Sequence, residues 1–195
     1  MDRNPADEAL MLAYRAGDAA SFDTLYSRHK GAVFRYLRRQ VRSMAVAEEL
    51  FQDVWMKLID ARAGYEPRAK FTTWLYTIAH HRLMDHFRGA ARAILVSYDE
   101  TDDPPEDVAS AAPAPDELFE RKQQAAGLLA AIEALPSAQR EAFLLQQEAD
   151  LSLDEIALVT GTNRETVKSR LRYAMAKLRV QLAESADRNP RMQGV

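Results

Sequence analysis

The sequence predicts an all-α fold of two small helical domains joined by a flexible acidic linker, and three observations carry that prediction. The 195 residues include only seven glycines and almost no clusters of β-branched residues, so strands have little to build on. Apolar residues recur at three- and four-residue steps along most of the chain, the spacing of helices buried on one face. Between two such regions lies SYDETDDPPEDVASAAPAPD, residues 97–116, where four prolines and seven acids leave nothing to form a core.

The elements follow in order. A first helix is expected from Asp7 to Ala16. A second starts between Ala19 and Ser21. Phe22, Leu25, Tyr26, His29, Val33, Tyr36 and Leu37 keep its period, and Arg35, Arg38, Arg39 and Arg42 make its end basic. The third, from Ala47 to Ala61, turns Leu50, Val54 and Leu58 inward, flanked by Phe51, Trp55 and Ile59. Glu48, Glu49, Gln52, Asp53 and Met56 fall on its other faces, and the early acids suit the helix dipole. Gly64 and Pro67 then break the chain in a loop from Arg62 to Lys70, with Tyr65, Arg68 and Lys70 as candidate contacts.

A fourth helix is expected from Thr72 to Arg88. Phe71, Trp74, Leu75, Ile78, Ala79 and Leu83 form its apolar stripe, while Tyr76, Thr77, His80, His81, Asp85 and Arg88 lie mostly opposite. Phe71 and Trp74 suit the core. Loop cations, aromatics and imidazoles together nevertheless have the make-up of a platform for single-stranded nucleic acid. Beyond the linker, a helix is expected from Glu117 to near Pro136, and Ser137 is expected to cap the next, whose Phe143 and Leu144 face inward.

The chain then reaches LSLDEIALVTGTNRETVKSRLRYAMAKLR, residues 151–179. Leu153, Ile156 and Ala157 share one face of a short helix that Ser152 or Asp154 can cap. Gly161 can take the left-handed geometry that ends this helix and lets another leave at an angle. In that second helix Val167, Leu171, Ala174 and Leu178 make a buried stripe. Arg164, Lys168, Arg170, Arg172, Lys177 and Arg179 stand against one acid, Glu165. A helix packed on one side and cationic on the other is built for a DNA major groove, with base contacts near its start and phosphate contacts beside them. After Leu182 a frayed tail is expected.

Net charge is −3, an odd value for a nucleic-acid binder until it is resolved along the chain. Residues 1–95 carry +4, residues 96–150 carry −10 and residues 151–195 carry +3. Two basic ends flank an acidic middle. The absence of cysteine excludes disulfides and thiolate metal sites. MDRNPADEAL lacks the apolar run of a signal peptide, and no stretch approaches the length of a membrane span, so a cytoplasmic protein without membrane insertion is expected.

FTTWLYTIAHHRLMDHFR in the first half and LPSAQREAFLLQQEADLSLDEIALVTGTNRETVKSRLRYAMAKLR in the second resemble bacterial RNA polymerase sigma factors of the extracytoplasmic-function (ECF) subfamily within the sigma-70 family. The resemblance covers nearly the whole chain in matching order. It divides the chain into residues 1–95 as sigma region 2, 96–116 as linker, 117–183 as sigma region 4 and 184–195 as tail. It implies that Arg164, Lys168, Ser169, Arg172 and Tyr173 face the upstream (−35) promoter element, with Arg170 on a phosphate. Tyr65, Arg68, Lys70, Phe71, Trp74, His80, His81 and Arg88 are then implied in opening the downstream (−10) element and capturing an extruded base. Glu48, Glu49, Gln52, Asp53 and Met56 are implied as the surface for the clamp coiled coil of the largest subunit of core RNA polymerase. The expected partners are that polymerase, promoter DNA and an anti-sigma factor, with no cofactor. Many members carry asparagine at the position of His81 and an acid near Val46, where this chain differs.

Two other readings are available to the residues. A helix-turn-helix regulator with a sensory domain would place a ligand pocket in residues 1–95. A metalloenzyme would use His80, His81, Asp85 and His86, of which His81 and Asp85 are one turn apart; yet His86 leaves that face and no HExxH-type motif exists. No phosphate-binding glycine loop or nucleophile–base pattern is present, so no catalytic residue is assigned. The acidic linker is a candidate mimic of nucleic acid, threading near cationic channels of the polymerase until RNA grows, and in the free chain the two domains are candidates to pack their basic faces together.

Overall fold

The structure is a computed structural model that describes residues 5–96 and 116–187. Every regular element in that range is helical. The first domain holds α1 (Asp7–Arg15), α2 (Ala19–Gln40), α3 (Met44–Ala61), a 3-10 turn (Arg62–Gly64) and α4 (Phe71–Val96). The second holds α5 (Asp116–Glu133), α6 (Ser137–Ala149), α7 (Leu153–Thr160) and α8 (Arg164–Asp187). Residues 97–115 of the expected linker and 188–195 of the expected tail lie outside the described residues, while Val96 and Asp116, at the linker's expected ends, are helical.

Local chemistry fixes the helix starts. Asp18 caps α2 by accepting from the Ala20 amide at 3.1 Å and the Ser21 hydroxyl at 2.6 Å. Those hydrogen bonds hold the exposed Asp18 carboxyl below its usual value. Ser43 caps α3, which therefore starts three residues ahead of the expected Ala47. The start of α4 is capped from a distance: the Phe71 amide donates to Glu8 of α1 at 2.7 Å. Arg15 reaches the Tyr65 carbonyl at 2.6 Å, tying the loop before α4 to α1. The loop that carries candidate contacts is thus held on rigid helices.

Three expectations change. α4 continues past Arg88 to Val96, and α8 past Leu182 to Asp187; neither stretch contains a proline, and α4 runs through Gly89, which weakens a helix without ending it. Ser137 does not cap α6. Pro136 holds the N-cap position at ψ 141°, and its carbonyl accepts from the Gln139 and Arg140 amides at 2.9 Å each.

Met11, Leu25, Val33, Leu37, Val54, Leu58, Leu75 and Leu83 fill the first core. Leu144, Leu145, Ile156, Val159, Val167 and Ala174 fill the second. The two domains also pack on each other, α2 against α6 and α4 against α7. The direct contacts join cationic and hydroxyl groups of the first domain to glutamates of the second, and the expected approach of the basic faces is confined to a cleft lined by arginines of both domains.

Candidate nucleic-acid interface

The helix-turn-helix is set by three local devices. Ser152 and Glu155 form a reciprocal capping box at the start of α7, with the Ser152 amide donating to Glu155 at 2.8 Å. Gly161 ends α7 at φ 61°. Asn163 then caps α8 by accepting from the Thr166 amide at 2.8 Å. Val167, Leu171, Ala174 and Leu178 are buried beneath α8, as their spacing requires.

The opposite side of α8 is open. Arg164, Lys168 and Arg172 follow one another at four-residue steps, all exposed. Arg164 lies 3.4 Å from Asp154 and Lys168 3.9 Å from Glu165, loose exposed pairs that DNA can displace at little cost. Arg172 rests over the Tyr173 ring at 5.1 Å, and Tyr173 is itself 53 % exposed. Ser169 and Arg170 are half-buried. Arg170 instead lines a cleft of about 1260 Å³ between the domains, together with Arg38, Arg39, Arg42 and Arg140.

In the first domain the expected contacts divide by burial. Tyr65 and Phe71 are buried, Trp74 is half-buried, and the Tyr65 and Trp74 rings lie 4.8 Å apart. Burial, then the charges of Glu8 and Asp7, push the Tyr65 hydroxyl up to about 12. Arg68 is exposed and pairs with Glu66 at 2.6 Å. Lys70 pairs with Glu155 of the other domain at 3.1 Å. His80 is half-buried against Glu141, His81 is exposed, and Arg88 is exposed beside Asp85 at 2.5 Å.

Sequence reasoning placed Tyr76 on the solvent side of α4 and left Thr73 unassigned. Both are buried, because α2 and the second domain cover that side. It also missed Glu141, Glu148 and Glu155, which hold the domains together. The S-x-x-E pattern at Ser152 was legible as a capping box, but the partners of all three glutamates lie 61 to 113 residues away. Burial opposes ionisation of Glu155, yet the Ser152 hydroxyl and amide and the Lys70 ammonium outweigh it and hold its carboxyl down to about 2.

A third surface lies on α3. Glu48, Glu49, Gln52 and Met56 are exposed, Met56 by 56 %. Asp53 beside them is half-buried and bound to Arg82 of α4. Among the described residues no three histidine, aspartate or glutamate side chains gather as a metal site, and no helix is long and apolar enough to cross a membrane.

An exposed cationic helix in a helix-turn-helix, behind a separate helical domain with a loop–aromatic face, defines a two-module DNA-binding transcription protein. Comparison with known proteins places it more closely. The family described as Sigma-70 region 2 matches residues 25–93, and that described as Sigma-70, region 4 matches residues 126–178. The RNA polymerase sigma factor CarQ of Myxococcus xanthus is 33% identical over 175 residues, 89% of this chain and 96% of CarQ. The ECF RNA polymerase sigma factor RpoE of Cereibacter sphaeroides is 32% identical over 176 residues, 88% of this chain and 92% of that one. The fold is shared with the sigma factor RpoE solved with the anti-sigma factor NepR from Bartonella quintana, at TM-score 0.66 and 22% identity over 83% of this chain and 96% of that chain. It is shared equally with CnrH solved with the cytosolic domain of CnrY, at TM-score 0.65 and 22% identity over 92% and 99%.

The chain belongs to the sigma-70 family of RNA polymerase sigma factors, in its ECF group. Its function is promoter-specific initiation of transcription.

Proposed function

We propose how this chain divides that work among its residues. Residues 117–183 read the upstream element, with Arg164, Lys168, Ser169, Arg172 and Tyr173 toward base edges and Arg170 toward a phosphate. The observation that carries this is the exposed row Arg164, Lys168 and Arg172 above a stripe of four buried apolar residues. An Arg or Lys on guanine there discriminates by about 1–3 kcal/mol.

Residues 1–95 open and read the downstream element through Lys70, Arg68, Trp74, His80, His81 and Arg88. Tyr65 and Phe71 support that surface from beneath, and a captured base is stabilised by stacking and edge contacts that offset its extrusion. Glu48, Glu49, Gln52, Asp53 and Met56 dock on the clamp coiled coil of the largest subunit of core RNA polymerase; their mixed acidic and apolar exposure suits a basic, partly apolar partner. The chain supplies recognition and strand opening in the cytoplasm, while the polymerase performs RNA synthesis. An anti-sigma factor is a further partner, by analogy with the complexes of the two structural relatives.

In vitro transcription from a promoter library, by core polymerase with and without this chain, tests the proposal. Specific starts that share an upstream and a downstream motif are expected only when the chain is present. Duplex binding by the isolated chain without polymerase-dependent starts would favour a stand-alone regulator instead.

A further inference from the structure

The contacts joining the two domains share one design. Glu155 receives Lys70 Nζ at 3.1 Å and the Thr73 hydroxyl at 3.3 Å. Glu141 meets His80 Nδ1 at 2.6 Å and receives the Tyr36 hydroxyl at 3.2 Å. Glu148 receives Arg35 Nε at 2.7 Å and the Arg39 guanidinium. Three times, a second-domain carboxylate sits between two donors of the first domain. Their side chains keep only 18 %, 11 % and 8 % exposure, so each is withdrawn from water and held by those donors, Glu155 by the Ser152 hydroxyl and amide as well.

Arg, Lys, imidazole and hydroxyl donors that bind a carboxylate bind a phosphate equally well. Thr73 and His80 are seven residues apart on α4, roughly 10 Å along the helix, about three steps of a stacked nucleotide strand. Lys70 and His80 already belong to the face proposed to open the promoter. Thr73, Tyr36, Arg35 and Arg39 have no role in that proposal, and Tyr76, packed against Tyr36, has a buried hydroxyl with no hydrogen-bond partner. The recognition row on α8 meanwhile stays exposed.

We propose that the donor pairs Lys70/Thr73, Tyr36/His80 and Arg35/Arg39 are phosphate-receiving sites for the opened promoter strand, and that Glu155, Glu141 and Glu148 occupy them in the free chain as stand-ins for that strand. Domain closure and strand binding then exclude each other. The free chain keeps its upstream-reading helix available while its downstream face stays shut. This rests on the sigma-factor assignment of the first domain.

The absence of cysteine allows clean labelling. Exposed Ser27 and Lys177, changed to cysteine in the full chain and spin-labelled, report the domain separation. A single-stranded deoxyoligonucleotide of random sequence is the binding probe. Glu141→Gln with Glu148→Gln and Glu155→Gln lengthens the separation and tightens oligonucleotide binding by roughly tenfold; glutamine at position 155 keeps the capping box, so α7 survives. Arg35→Gln with Arg39→Gln also lengthens the separation but weakens binding, and it lowers the slope of log affinity on log salt by about 1.4 for two lost phosphate contacts. Opposite signs on DNA with the same sign on distance is the signature. Opening in the arginine variant with unchanged affinity and slope overturns the proposal, as does an unchanged distance in the glutamine variant. If the unsubstituted chain starts specific transcripts with core polymerase, either of those results overturns this inference alone and leaves the sigma-factor reading intact.

Discussion

Gly161 carries the backbone at φ 61°, and a Cβ built there meets nothing within 4 Å. The cost of a side chain at that position is therefore conformational, not steric. Gly161→Ala is expected to destabilise the second domain by about 1–2 kcal/mol, visible as a lower thermal midpoint; an unchanged midpoint would show that the turn does not need this geometry. Glu155 makes a pH-dependent contribution. Its carboxyl has an ordinary value of 4.5 and lies at about 2 in the folded chain. Because the folded value is the lower one, the stabilisation is complete above 4.5 and disappears as pH falls toward 2. Denaturant titrations should show the parent chain more stable than Glu155→Gln at neutral pH, with the difference closing through that window. A difference that persists below it would contradict the pairing with Ser152 and Lys70.

At the scale of elements, periodicity carried most of the information. Val167, Leu171, Ala174 and Leu178 were readable as one stripe because a helix with one buried face must repeat near 3.6 residues, and all four are buried. The row Arg164, Lys168, Arg172 was readable by the same rule. Arg172→Ala should cost about 1–3 kcal/mol of binding at the cognate upstream element and much less at unrelated DNA; equal losses on both in a gel-shift series would move Arg172 to the phosphate backbone. α4 was only half legible. Its apolar stripe followed from Leu75, Ala79 and Leu83. Thr73 and Tyr76 are also buried, since α2 and the second domain cover the opposite side. One helix's pattern cannot distinguish a face that meets solvent from a polar face that meets another domain. Position 137 failed for a related reason: serine is a good cap in general, but Pro136 already held the place where the chain turns into α6.

The whole molecule was legible as two helical domains but not as a closed pair. Composition and charge along the chain revealed two basic ends around an acidic middle. They did not reveal that Glu141 and Glu148 project from the second domain onto Tyr36, His80, Arg35 and Arg39. Those pairings form across 61 to 113 residues, beyond any local signal. The site residues divide accordingly. The α8 row proposed to read the upstream element lies open in the free chain, whereas Lys70 and His80 are engaged by the second domain. If Lys70 and His80 act on the downstream element as proposed, that engagement ends when the promoter is opened.

The most direct test is therefore the distance between the domains, measured by paired labels on Ser27→Cys and Lys177→Cys, in the free chain and again in complex with core polymerase and promoter DNA. A short separation when free and a clearly longer one in the initiating complex is the predicted result. The same short separation in both states, with specific transcripts still being made, would contradict the account.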